Sequence, residues 1–188
     1  MVMDERRWPM SEKNEEFARL VATHRHALLR YATRRLDDHA TAEDLVAETF
    51  VVAWRRFETL PRREEELFWL YGIGGRVLSN IVRGRQRSMR LESRLAFERE
   101  SDDLDARYDE QDIESLMVAL GALSADEREL IQLVYWERLS YREMGIVLGC
   151  SEKAAGIRLS RARSRLRGLM NDGQTGTNVV PMWREETN

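Results

Sequence analysis

From Phe17 the apolar positions Phe17, Leu20, Val21, His24, Leu28, Tyr31, Ala32 and Leu36 recur at intervals of three and four, which traces one stripe of an amphipathic helix. A second helix is predicted from Thr41. Thr41 with Asp44 has the form of a capping box: the threonine oxygen accepts from a free amide of the first turn and the acid reaches back. Its inward positions are Leu45, Val46, Thr49, Phe50, Ala53 and Phe57, while Asp44, Glu48, Val51 and Arg55 fall together on the outside. Pro61, followed by Arg62 and Arg63, ends it in a loop. A third run starts near Glu65 and carries Leu67, Phe68, Leu70, Tyr71, Ile73, Val77, Leu78, Ile81 and Val82, interrupted by Gly72, Gly74 and Gly75. Each glycine weakens an exposed helix interior by about 1 kcal/mol against alanine. Close packing on a neighbouring helix, or a backbone that approaches a ligand, would offset that.

Residues Ser88 to Asp112 lose the apolar period and read as a linker; fully stretched, about 25 residues reach roughly 80 Å. Beyond it Ile113, Leu116, Met117, Leu120 and Leu123 make one helix, and Ser124 with Glu127 caps another that holds Leu130, Ile131, Leu133 and Val134. Ser140 with Glu143 caps a short helix to Leu148, Gly149 supplies a left-handed turn residue, and Ser151 caps a last helix. Two helices joined by a short glycine turn form a helix-turn-helix. On the last helix Ala155, Leu159, Ala162 and Leu166 face inward, with Tyr141, Met144 and Leu148 across from them. Lys153, Ile157, Ser160, Arg161 and Ser164 face away. From Asn171 the tail, with Gly173, Gly176 and Pro181, has no usable period. No stretch alternates with period two for long, so the expected fold is all-α. It comprises two small helical domains, 1–94 and 113–170, an acidic linker 95–112 and a mobile tail 171–188.

The net charge of -3 would argue against nucleic acid if it were spread evenly, but it is segregated. Arg76, Arg83, Arg85, Arg87, Arg90 and Arg94 crowd one stretch, a run of acids from Glu98 to Glu114 follows, and the sign turns basic again from Lys153 to Arg167. No acid lies between Lys153 and Arg167 to pair with those arginines along the helix. In a helix-turn-helix the first residues of the second helix approach base edges and later cations take phosphates. That places Ser151, Lys153, Gly156, Ile157 and Ser160 near bases and Arg158, Arg161 and Arg165 on the backbone.

Two distant stretches resemble one family, the extracytoplasmic-function sigma factors of bacterial RNA polymerase. AEDLVAETFVVAWRRF, Ala42 to Phe57, is similar to their region 2.2, LFWLYGIGGRVLSNIVRGRQR, Leu67 to Arg87, to regions 2.3 and 2.4, and Ala122 to Leu166 to region 4. The resemblance implies a non-enzymatic factor that binds core polymerase through its clamp helices and flap. Such a factor recognises a -35 duplex and a -10 single strand, and promotes melting. By position Asp44, Glu48, Val51 and Arg55 would meet the polymerase, where acids on an amphipathic helix can pair with a basic partner. Arg62, Arg63, Trp69, Arg76, Asn80, Arg83, Arg85 and Arg87 would hold the -10 strand, which calls for aromatics and a cationic track. The chain departs from its relatives where Gly74, Gly75 and Arg76 replace a frequent Ala-Arg-Asn, and where Ala154, Ala155, Gly156 and Ile157 replace a frequent Thr-Val-Lys-Ser. The resemblance also implies an anti-sigma partner and association with the nucleoid within the holoenzyme.

Two other classes fit less well. A helix-turn-helix regulator with a sensing front half would need no second nucleic-acid surface, yet Arg76 to Arg94 provides one. For an enzyme, His24, His26, His39 and Cys150 compose neither a metal set nor a triad, so we expect no catalytic residues, no metal and no cofactor. A single cysteine rules out an internal disulfide, and no early run has the form of an export signal or bilayer span, so the expected location is cytoplasmic, without membrane contact.

Overall fold

The computed structural model describes residues 9–92 and 110–172. Among the described residues seven helices run in order: α1 (Met10–Thr33), α2 (His39–Arg55), α3 (Glu66–Glu92), α4 (Glu110–Ala122), α5 (Ala125–Tyr135), α6 (Tyr141–Leu148) and α7 (Glu152–Asp172). Two short 3-10 turns, Phe57–Thr59 and Arg63–Glu65, lie between α2 and α3. The described residues are thus all-α, as the periodicity predicts.

α1, α2 and α3 pack on one another as a front unit, and α7 collects α4, α5 and α6 into a rear unit. The predicted inward faces are the buried ones. Leu20, Leu28, Tyr31 and Ala32 of α1 are sealed from solvent, as are Leu45, Thr49 and Ala53 of α2 and, just beyond that helix, Phe57. Burying one such side chain contributes about 1.5–3 kcal/mol, so tertiary packing rather than local propensity carries these helices.

Three boundaries differ from the sequence reading. α2 begins at His39 because Asp38 caps it: its carboxylate accepts from the amides of Ala40 and Thr41 at 3.3 and 2.9 Å. Thr41 sits inside the first turn and donates its hydroxyl to Asp38 at 2.6 Å. An ionised carboxylate just upstream outcompetes a hydroxyl for the free amides. α3 continues to Glu92, past the expected start of the linker at Ser88, and α4 begins at Glu110, so residues 110–112 of that linker are helical. On α4 Met117 is 50 % exposed, and Ala119 takes the buried position instead.

In the rear unit the caps form as predicted. Ser124 with Glu127 and Ser140 with Glu143 are reciprocal capping boxes, and Gly149 adopts φ 62°, ψ 39°, the left-handed pair that closes α6. Arg138, in the turn before α6, also has a positive φ of 56°, unusual for a residue with a Cβ. That turn carries Glu137 to the seam between the two units.

α3 remains one continuous helix through Gly72, Gly74 and Gly75 because each glycine meets a neighbour. A Cβ at Gly74 would lie 3.5 Å from both Thr49 and Tyr31, and one at Gly75 would lie 3.4 Å from the Tyr31 hydroxyl. A Cβ at Gly72 would stand only 2.7 Å from the carbonyl oxygen of Val147 on α6, closer than any side chain tolerates. That contact belongs to the rear unit.

Candidate functional site

α7 separates its two faces cleanly. Ala155, Leu159 and Ala162 are fully buried and Leu166 is 2 % exposed, while Lys153, Ile157, Arg158, Ser160, Arg161, Ser164 and Arg165 point to solvent. Ser151 caps the helix, its hydroxyl oxygen accepting from the Ala154 amide at 3.2 Å. Ile157 is 46 % exposed, a large apolar side chain left in water on the outer face. Two details differ from expectation. Tyr141 is 45 % exposed rather than buried: its ring covers Gly156, whose added Cβ would be 3.8 Å away, and Val147 fills the core beside Met144 in its place. Arg165 is not wholly without an acid, since Glu127 of α5 approaches it to 3.7 Å, a pairing that helical spacing alone does not reveal.

The front unit carries a second basic surface. Between α2 and α3 the loop forms a cavity of about 410 Å³ lined by Leu60, Pro61, Arg62 and Glu65. Arg62, Arg63, Arg76, Asn80 and Arg83 are exposed, and Trp69 is half-buried. Arg83 donates to the Asn80 side chain at 2.9 Å, which orders both on the surface, and Arg63 lies 3.5 Å from Glu16. The backbone of α3 passes through Arg85 and Arg87, whose side chains lie outside the described residues.

Asp44, Glu48, Val51 and Arg55 are all exposed on the outer face of α2, Val51 by 42 %. Glu48 also lines a groove of about 540 Å³ with Val52, Arg56, Ile73, Arg76, Asn80 and others. The acid on α2 and the cation on α3 therefore border one depression.

Among the described residues no group of three possible metal ligands occurs, and no helix is long and apolar enough to cross a membrane. His24, part of the α1 stripe, places Nε2 2.9 Å from Glu66, and Glu66 is also hydrogen-bonded to Arg19. This pairing satisfies a carboxylate that is only 1 % exposed at the start of α3.

The groups that sequence reasoning missed lie along the seam between the units. Arg35, with a side chain 2 % exposed, donates to Glu129 at 2.8 Å and to Glu137 at 2.9 Å. The Tyr31 hydroxyl donates to Glu129 at 2.9 Å and Tyr71 to Glu137 at 3.4 Å, with the two rings stacked at 4.8 Å. Burial, followed by the charge of Glu129, pushes the Tyr31 hydroxyl well above its ordinary range. Burial and the charge of Glu137 push Tyr71 up to about 12. Arg142 of α6 donates to Glu65 at 2.9 Å.

The chain matches the family described as Sigma-70 region 2 over residues 20–88 and that described as Sigma-70, region 4 over residues 113–166. It is 32 % identical over 154 residues to the RNA polymerase sigma-E factor of Streptomyces coelicolor, covering 81 % of this chain and 84 % of that one. This chain belongs to the extracytoplasmic-function sigma factors. As a sigma factor it is a promoter-specific transcription initiation factor, of a family that is not catalytic. The sigma factor is also 31 % identical to the ECF RNA polymerase sigma factor SigL of Mycobacterium tuberculosis over 157 residues, 77 % of this chain and 82 % of that one. Among solved structures it resembles the sigma factor RpoE of Bartonella quintana, crystallised with the anti-sigma factor NepR. That match has a TM-score of 0.59 and 29 % identity, and covers 85 % of this chain and 99 % of that one. CnrH in complex with the cytosolic domain of CnrY matches with a TM-score of 0.54 at 29 % identity, over 86 % of this chain and 91 % of that one.

Proposed function

We propose that this sigma factor reads its promoter with two surfaces and meets the polymerase with a third. The observation that carries the reading is the outer face of α7: Lys153, Ile157 and Ser160 stand at the start of an exposed face whose inner side is closed by Ala155, Leu159, Ala162 and Leu166. Such a helix enters a major groove with its first turns at base edges and Arg158, Arg161 and Arg165 on phosphates, which is the -35 contact. The -10 strand is held by Arg62, Arg63, Trp69, Arg76, Asn80, Arg83, Arg85 and Arg87, with a base lodged in the Leu60–Glu65 cavity and strand separation favoured by that capture.

The exposed outer face of α2, with Asp44, Glu48, Val51 and Arg55, docks on the polymerase clamp helices, and the rear domain meets the flap. The working division is a front domain 1–94, a linker 95–112, a rear domain 113–170 and a tail 171–188. The tail after residue 172 and most of the linker lie outside the described residues. The protein works in the cytoplasm, at the nucleoid when in holoenzyme, and without membrane contact, cofactor or catalysis. An anti-sigma partner is part of this reading, supported by the structural relative RpoE, which was solved with the anti-sigma factor NepR.

Run-off transcription with purified core polymerase, with and without this chain, tests the reading. The expected result is discrete promoter-initiated transcripts only when the chain is present. Failure to direct any promoter-specific initiation would favour a helix-turn-helix regulator whose front domain binds another partner.

A further inference from the structure

Few side chains of α7 are able to read a base by hydrogen bonding. Lys153, Ile157 and Ser160 follow at intervals of four and three, so they share one line along the helix, and all are exposed. Between Lys153 and Ile157 the chain runs Ala154, Ala155 and Gly156, none of which carries a polar side-chain atom. Over that span discrimination between bases falls to apolar contact, and Ile157 supplies it with a side chain 46 % exposed between Gly156 and Arg158. Gly156 leaves a notch beside it. A Cβ there would meet the Tyr141 ring at 3.8 Å and no atom closer. Tyr141, the first residue of α6 and 45 % exposed, thus forms a wall of the notch, and Ile157, next along the chain, adjoins it. A single exposed hydrophobic is ordinary on a protein surface. Here two of them border one glycine, at the end of the helix that faces base edges.

We propose that Gly156, Ile157 and Tyr141 form a methyl pocket that selects thymine in the -35 element. The proposal rests on the reading of α7 as the -35 helix. Base edges in the major groove present donors and acceptors, and the 5-methyl of thymine is the apolar group among them. A methyl that enters the notch takes water off the Ile157 side chain and the Tyr141 ring, and it strips no polar side chain of a partner, because glycine brings none. Cytosine in its place would turn an amino donor toward hydrocarbon, which costs the hydrogen bond that donor had with water. Lys153 and Arg158, on either side of the pocket in the chain, bring the charge that draws the duplex to it.

The test loads core polymerase with the full chain and selects from a duplex pool randomised over both promoter elements. Binding of the selected duplex is then measured with each -35 thymine replaced in turn by deoxyuridine, which lacks only the methyl. One such replacement should weaken binding by the parent about fourfold, the worth of one buried methyl. Ile157→Ala should bind the thymine and deoxyuridine duplexes alike. Gly156→Ala should do the same by a different route, since its Cβ fills the notch at an ordinary contact distance from Tyr141. That variant also improves the helix propensity of α7, so a folding defect does not account for the lost discrimination. A selected -35 element without thymine, or deoxyuridine tolerated by the parent at every position, overturns the pocket. A methyl effect that persists in both variants overturns its assignment to Gly156 and Ile157. Selection of a preferred -10 sequence with no preference at -35 overturns instead the reading of α7.

Discussion

The outer face of α7 and the seam between the units both depend on arginine, with opposite consequences. Arg158, Arg161 and Arg165 stay in water, and among the described residues the acid that approaches this set is Glu127, 3.7 Å from Arg165. Arg35 is withdrawn from water and fully engaged by Glu129 and Glu137. An exposed cation keeps its hydration until a phosphate replaces it, so it is available to a ligand. A buried one is tolerable only when paired, so it commits the chain to one arrangement. What a positive charge does here is decided by its surroundings.

The largest test of the contrast is to break the buried set. Arg35→Met leaves Glu129 without its cation and Glu137 with Arg34 alone, 3.6 Å away, and should lower stability in urea by about 3 kcal/mol. That is the low end for a broken buried pair, because undocking lets the carboxylates rehydrate. A change below about 0.5 kcal/mol would show that the pair behaves as surface charges do.

The matching experiment on the exposed set should spare stability and alter binding. With Arg158, Arg161 and Arg165 all changed to alanine, the urea midpoint should move little. The slope of log affinity for promoter DNA against log salt should become shallower by about 2.7, at about 0.9 for each phosphate that is no longer neutralised. An unchanged salt slope would mean that these residues do not reach the phosphates.

The smallest effect is expected in alkali. Tyr71 is held neutral in the folded chain, raised to about 12, so its contribution to stability is complete below about pH 10 and is lost as pH climbs toward 12. Tyr31 shifts in the same direction. Tyr71→Phe removes one of these two linked protons. Between pH 10 and 12 the fall in stability should therefore be shallower by about 1.4 kcal/mol per pH unit. Urea midpoints at stepped pH values measure it, and equal slopes in parent and variant would separate Tyr71 from the seam.

Much of the fold was legible because its signals are local. The Ser124–Glu127 and Ser140–Glu143 boxes, Gly149 in its left-handed turn and the Ala155–Leu159–Ala162–Leu166 stripe each lie within a short stretch of chain, and all are present. The misplaced start of α2 is a competition between neighbouring caps, Asp38 and Thr41, that the pattern S/T-x-x-D/E does not rank. Tyr141 reads as an inward residue by spacing, yet it lies over Gly156, because a glycine there leaves a shelf on the surface rather than a hole in the core. The exposed outer faces of α2 and α7 were equally legible, since polar positions opposite a buried stripe have nowhere else to go.

By itself, then, the sequence determined the helices, most of their caps and which side of each is wet, because those depend on contacts within about four residues and on the 3.6-residue period. The tertiary structure alone decided that Arg35 meets Glu129 and Glu137, 94 and 102 positions away, that Arg142 reaches Glu65, and that Gly72 lies against α6. Nothing local marks those partners: an arginine beside a helix end and two glutamates in another unit carry the same propensities whether they meet or not. Only packing the two units brings them within hydrogen-bonding distance and removes the water that would otherwise screen their charges.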